Sequence, residues 1–136
     1  MIDVVEVDIP VAEVLAAVDG PGEGAAVLFV GRVRDATAGS AVTHLDYECY
    51  REMALAELAA LASEAKASHG AAAVSIVHRV GRLEIGDVAV AIAVSSAHRP
   101  AAYEASRWII DTLKERVPIW KKEWHDDGGV WASDHP

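Results

Sequence analysis

The sequence predicts an α+β fold, a mainly antiparallel sheet with flanking helices in a single domain covering residues 1–136. Three observations lead there. Apolar, β-branched runs at residues 25–34, 73–80 and 87–96 read as buried strands. Two long segments, 51–68 and 100–117, carry helix-forming residues between clear stop signals. The resulting order, β-α-β-β-α-β-β-α-β, mixes hairpin-like and crossover links, as an α+β chain does and a regular alternating α/β chain does not.

Residues 4–9 read as a short strand and 11–18 as a short helix closed by "DGPGEG". In "AAVLFVGRVR", residues 25–34, an apolar run turns basic, so the strand end emerges at a surface. Arg32 and Arg34 then share one face, an arrangement that either waits for an anion or is tolerated at a solvated end. "DATAGSA" reads as a loop. Residues 42–50 alternate, with Leu45, Tyr47 and Cys49 on one face. "REMALAELAALASEAKAS" is helical and stops before Gly70. The runs 73–80 and 87–96, separated by Gly81 and "IGD", are neighbouring strands.

The last helix carries the most information. Pro100 suits its first position and Pro118 marks its end. At 100° per residue, Tyr103, Ser106, Ile110, Leu113 and Val117 share a face, Glu104, Asp111 and Glu115 take the opposite side, and Lys114 sits on the apolar shoulder. A lysine half-sunk there either loses its proton more readily and serves as an acid or base, or snorkels with its amine in water. His98 and Arg99 precede the helix. Free N–H groups at a helix start attract phosphate or carboxylate, although these are also ordinary surface residues. Beyond the helix, "VPIWKKEWHDDGGVW" sets Lys121 and Lys122 among three of the chain's four tryptophans, and an extended backbone points the two lysines to opposite sides.

Composition narrows the function. A 136-residue chain with 52% hydrophobic and 24% charged residues builds a globular core. A net charge of −9 argues against a nucleic-acid partner. Between residues 95 and 125, however, six Lys/Arg face four Asp/Glu, a local +2 that leaves −11 on the remainder. A basic island in an acidic body suits a small anion. No apolar run approaches the roughly 20 residues of a membrane span, and the acidic N-terminus does not read as a secretory signal. Cys49 has no partner for an internal disulfide, favouring a cytoplasmic location, and its strand register reads as core packing. The six histidines never approach metal-ligand spacing, "HDD" at 125–127 reads as a solvated turn, and no phosphate loop, GxGxxG or GxSxG occurs.

Taken together, "FVGRVRD", "LDYECYREMA", "VSIVHRVGRLEIGD" and "VAIAVSSAHRPAAYEASRWIIDTLKERVPIWKKE" resemble the catalytic (large) subunit of molybdopterin synthase over residues 25–123. The resemblance implies an α/β-hammerhead fold, a homodimer within a heterotetramer, and a small ubiquitin-like sulfur-carrier subunit with a Gly-Gly C-terminus docked on each copy. It implies two sulfur transfers from the carrier's thiocarboxylate, converting cyclic pyranopterin monophosphate (precursor Z) to molybdopterin. Sulfur arrives on the carrier, so no cofactor and no metal is expected. By the same resemblance Lys114 and Lys121 are catalytic, and Arg34, His98 and Arg99 contact substrate. Arg32, Lys122 and Glu123 fall in matching stretches and are expected to bind substrate as well. The plain loop and the early end at Pro136 depart from the family pattern, with residues 132–136 expected to be disordered. Two further expectations concern geometry. Trp120 and Trp124 would wall a pocket into which Lys121 projects. About 15 residues of helix, roughly 22 Å, separate Arg99 from Lys114, so His98 and Arg99 would come from the partner subunit.

Two other classes stay open on the residues alone. One is a non-catalytic scaffold for a ubiquitin-like partner; the other is an unrelated phosphate-ester enzyme using Arg34 and Arg99 without any carrier.

Overall fold

In the computed structural model, which describes residues 1–131, two four-stranded sheets share a core with three helices. The first sheet has the order β1-β6-β8-β2, from Ile2–Val5, Ala73–Arg79, Val88–Ser96 and Ala25–Arg32; only the β1–β6 pair is parallel. The second has the order β10-β9-β5-β7, from Gly128–Trp131, Ile119–His125, His44–Cys49 and Gly81–Glu84, and is antiparallel throughout. A small hairpin, β3 (Ala36–Thr37) with β4 (Ser40–Ala41), stands apart.

The central strand explains its own composition. β8 is covered on both faces, so its residues form a continuous apolar run instead of alternating with polar ones. Ala91 and Ala93 face α1 (Val11–Ala16), packing with Val14 and Val18. Ile92 and Val94 face the larger cluster built with α2 (Arg51–Ser68) and α3 (Arg99–Arg116). Small residues thus lie toward the short helix and branched ones toward the long pair. Ile92 is fully buried, and cutting it to alanine would cost about 2–5 kcal/mol.

Several elements differ from expectation. β1 ends at Val5, and Val7 beyond it is 67% exposed. "DATAGSA" is a tight hairpin, because Ala38 (φ 51°) and Gly39 (φ 81°) both adopt the left-handed conformation that matches strand twist. Gly81 opens β7; its φ of 84° lets the chain leave one sheet and enter the other. The buried face of α3 is Ala102, Ala105, Ser106, Ile109 and Leu113, with Val117 following. That face is rotated from the expected one: Tyr103 is 64% exposed and Ile110 only half-buried. The deviation follows from the alanines, whose small side chains let α3 approach the sheet closely. Cys49 touches the core yet is half-buried, where full burial was expected. The expectation of disorder at 132–136 lies outside the described residues. Among the described residues, no helix is long and apolar enough to cross a membrane.

Candidate active site

A cleft of about 350 Å³ opens where the two sheets meet the C-terminal half of α3. Each element contributes for a local reason. β2 ends there, and a register shift between Gly31 and Arg32 marks a bulge that turns the strand end. Arg32 and Arg34 both line the cleft. A side chain at position 31 would meet Val90 at 2.8 Å, so glycine keeps that wall open. From α3 come Ile110, Leu113 and Lys114; from β9 comes Lys121. Tyr47 of β5 is the register partner of Lys121, which sets these two side chains on one face of the second sheet. His78 of β6 completes the floor, its ring edge-on to Tyr47 with centroids 5.1 Å apart.

The electrostatics are uneven. Among the described residues, no carboxylate pairs with Arg32, Arg34 or Lys114, and Lys121 has only Glu123, at 3.8 Å. Four cations against one neighbouring carboxylate leave a net +3 around the cleft. Elsewhere in the basic stretch Arg116 pairs with Glu57 and Glu64, and Arg107 with Asp111. Such an unpaired cluster is built to receive negative charge. The floor is neutral by contrast. Burial holds His78 down to about 4, and burial, then the charge of Glu123, pushes Tyr47 up to about 12.

Of the residues singled out from sequence, the structure brings together Arg32, Arg34, Lys114 and Lys121. Glu123 stands beside them, accepting a hydrogen bond from Thr37 Oγ1 at 2.8 Å while facing Lys121, so the unexpected hairpin helps to hold this carboxylate. Lys114 is exposed at the rim and not half-sunk; its stem follows Ile110 and Leu113 into the cleft wall. His98 and Arg99 are exposed at the far end of α3, outside the cleft.

Lys122 is not brought in. It points to the other face of the second sheet, 4.4 Å from the Trp124 ring centroid and 5.3 Å from that of Trp131. The expectation that Trp120 and Trp124 enclose Lys121 is therefore wrong. Strand alternation puts Trp120, Lys122 and Trp124 on one face and Lys121 and Glu123 on the other. Trp124 instead donates from Nε1 to Asp46 at 2.7 Å and stacks on His44. Trp120 meets Tyr50 edge-on and lines a separate hollow with Cys49 and Trp131. Burial raises the Cys49 thiol, which keeps it from being a ready nucleophile. Among the described residues, no cluster of His, Cys, Asp or Glu could hold a metal ion. Tyr47 and His78 escaped the sequence reading because both looked like strand filler. The tripeptide "VHR", a histidine inside an apolar strand, was the available signal.

The family model described as MoaE protein matches residues 4–116. The chain belongs to the MoaE family. Among relatives of this MoaE chain, the molybdopterin synthase catalytic subunit 1 of Mycobacterium tuberculosis is 46% identical over 126 residues, covering 93% of this chain and 86% of that one. The molybdopterin synthase catalytic subunit of Halalkalibacterium halodurans is 47% identical over 131 residues, covering 96% and 84%. The crystal structure of molybdopterin synthase from Staphylococcus aureus superposes with a TM-score of 0.92 at 41% identity, over 97% of this chain and 96% of that one. The mainly antiparallel α+β architecture expected for a MoaE chain is the one observed.

Proposed function

We propose that this chain is the catalytic subunit of a molybdopterin synthase: a cytoplasmic sulfurtransferase that converts cyclic pyranopterin monophosphate to molybdopterin. Sulfur comes in two transfers from the C-terminal thiocarboxylate of a small ubiquitin-like carrier with a Gly-Gly tail, each transfer leaving that tail as a carboxylate. The chain itself needs no cofactor. The observation that carries this reading is the cleft where Arg32, Arg34, Lys114 and Lys121 converge with one neighbouring carboxylate. A phosphate ester and a thiocarboxylate are both anions, and bringing them together requires cations placed in advance. The relatives' name, catalytic subunit, supports the presence of a second subunit.

In this reading Lys114 and Lys121 reach the reacting atoms as acid and base, and Glu123 orients Lys121. Arg32 and Arg34 anchor substrate anions. Lys122 lies on the opposite face and serves the fold or a protein contact instead. His98 and Arg99 belong to a site shared with the partner of a homodimer. An unbroken 18-residue α3 keeps Arg99 about 22 Å from Lys114, too far to serve one pterin within one chain. The test is incubation of the chain with thiocarboxylated carrier and cyclic pyranopterin monophosphate, with mass detection of the dithiolene product. Pterin retained unchanged would favour a scaffold, and turnover without carrier would favour an unrelated phosphate-ester enzyme.

A further inference from the structure

The cations of the cleft attract anions of many kinds and cannot by themselves tell a pterin from another phosphate ester. Selection needs neutral, directional groups that are dry enough for an unmet hydrogen bond to cost affinity. The floor supplies one. His78 is 2% exposed, lines the cleft and packs edge-on against Tyr47. Its Nδ1 lies 2.8 Å from the carbonyl oxygen of Arg79. A carbonyl only accepts, so Nδ1 carries the ring proton and Nε2 is left with its lone pair. Arg79, the next residue along the strand, is held by Asp8 at 2.8 Å and Asp87 at 3.4 Å, so those carboxylates are engaged away from the imidazole. The ring is thus a fixed acceptor of one tautomer on the floor of a cationic cleft. The edge of a reduced pterin presents N–H donors, and its phosphate would face the cationic rim.

We propose that His78 Nε2 is a specificity-determining acceptor for this site, taking a hydrogen bond from a ring N–H of the pterin while Arg32 and Arg34 hold its anionic end. The proposal rests on the function proposed above. A histidine that merely fills the core would need no acceptor, and this difference can be measured. With the full chain and its carrier, replacing His78 by phenylalanine (H78F) should raise KM for cyclic pyranopterin monophosphate about tenfold. Inhibition by inorganic phosphate should be unchanged, and H78Q, which keeps an acceptor, should recover most of the loss. In the unaltered chain with ¹⁵N-labelled histidine, the Nε2 resonance of His78 should move upfield on adding the pterin and stay in place on adding inorganic phosphate. This second measurement decides the matter even if H78F does not fold. Pterin bound with the Nε2 resonance unmoved, or an H78F enzyme with unaltered KM, overturns the proposal alone. An unaltered chain that binds no pterin overturns the proposed function and this proposal together.

Discussion

His78→Gln should flatten the acid side of the stability profile. Burial holds the imidazole at about 4 against an ordinary value of 6.5. At pH 7.5 it is neutral both folded and unfolded and contributes no pH dependence. As the pH falls through 6.5, the unfolded chain takes up a proton that the folded chain refuses until about 4. The unfolded state binds more protons throughout that window, so stability drops with pH. Each pH unit between the two values is worth about 1.4 kcal/mol. Summed to pH 4.5, the loss from this one group is about 2–3 kcal/mol. Glutamine does not titrate, so H78Q should lack that loss while sharing all losses from carboxylates and exposed histidines. Its own packing cost is the same at every pH and cancels from the comparison. Urea unfolding of both proteins from pH 7.5 to 4.5 measures the effect directly. The stability of H78Q relative to the unaltered chain should rise by about 2–3 kcal/mol on acidification. Parallel curves would show that His78 is hydrated or charged in the folded chain, and the neutral floor of the cleft would be refuted.

The opposite faces of β9 predict unequal lysines. Lys121→Ala should abolish sulfur transfer in a single-turnover assay, whereas Lys122→Ala, which removes a side chain lying over Trp124, should only weaken it; equal defects would contradict the geometry. Mixing inactive Arg99→Ala and Lys114→Ala homodimers should regenerate activity after subunit exchange, and none regained with exchange verified would place the whole site in one chain. Trp124→Phe removes the Nε1 bond to Asp46 and weakens the platform under Lys122. It should lower thermal stability by about 1–2 kcal/mol and leave sulfur transfer within about twofold of the original. A large rate loss would mean that the outer face of this sheet couples to the cleft.

Local chemistry alone determined much of this protein. α2 and α3 follow from helix-forming residues bounded by Gly70, Pro100 and Pro118, and α2 spans the residues its sequence marks out. β8 follows from an unbroken apolar run, and the opposite aim of Lys121 and Lys122 from the two-residue period of a strand. Four cleft cations were legible because Arg, Lys and Pro leave strong local patterns. The remainder depended on which elements meet. β7 and β10 are four residues each, too short to register as periodic, and exist because β5 and β9 offer them edges. The rotation of α3 was set by alanines packing against the sheet, which turned Tyr103 outward and left Lys114 at the rim. Which face of β9 meets the cleft could not be read from alternation, since a period of two separates the faces without naming the inner one. Tyr47 and His78 became floor residues only when two strands of different sheets, β5 and β6, were brought face to face; burial and neighbouring charge, the causes of their altered proton affinities, belong to that meeting and to no single stretch of chain.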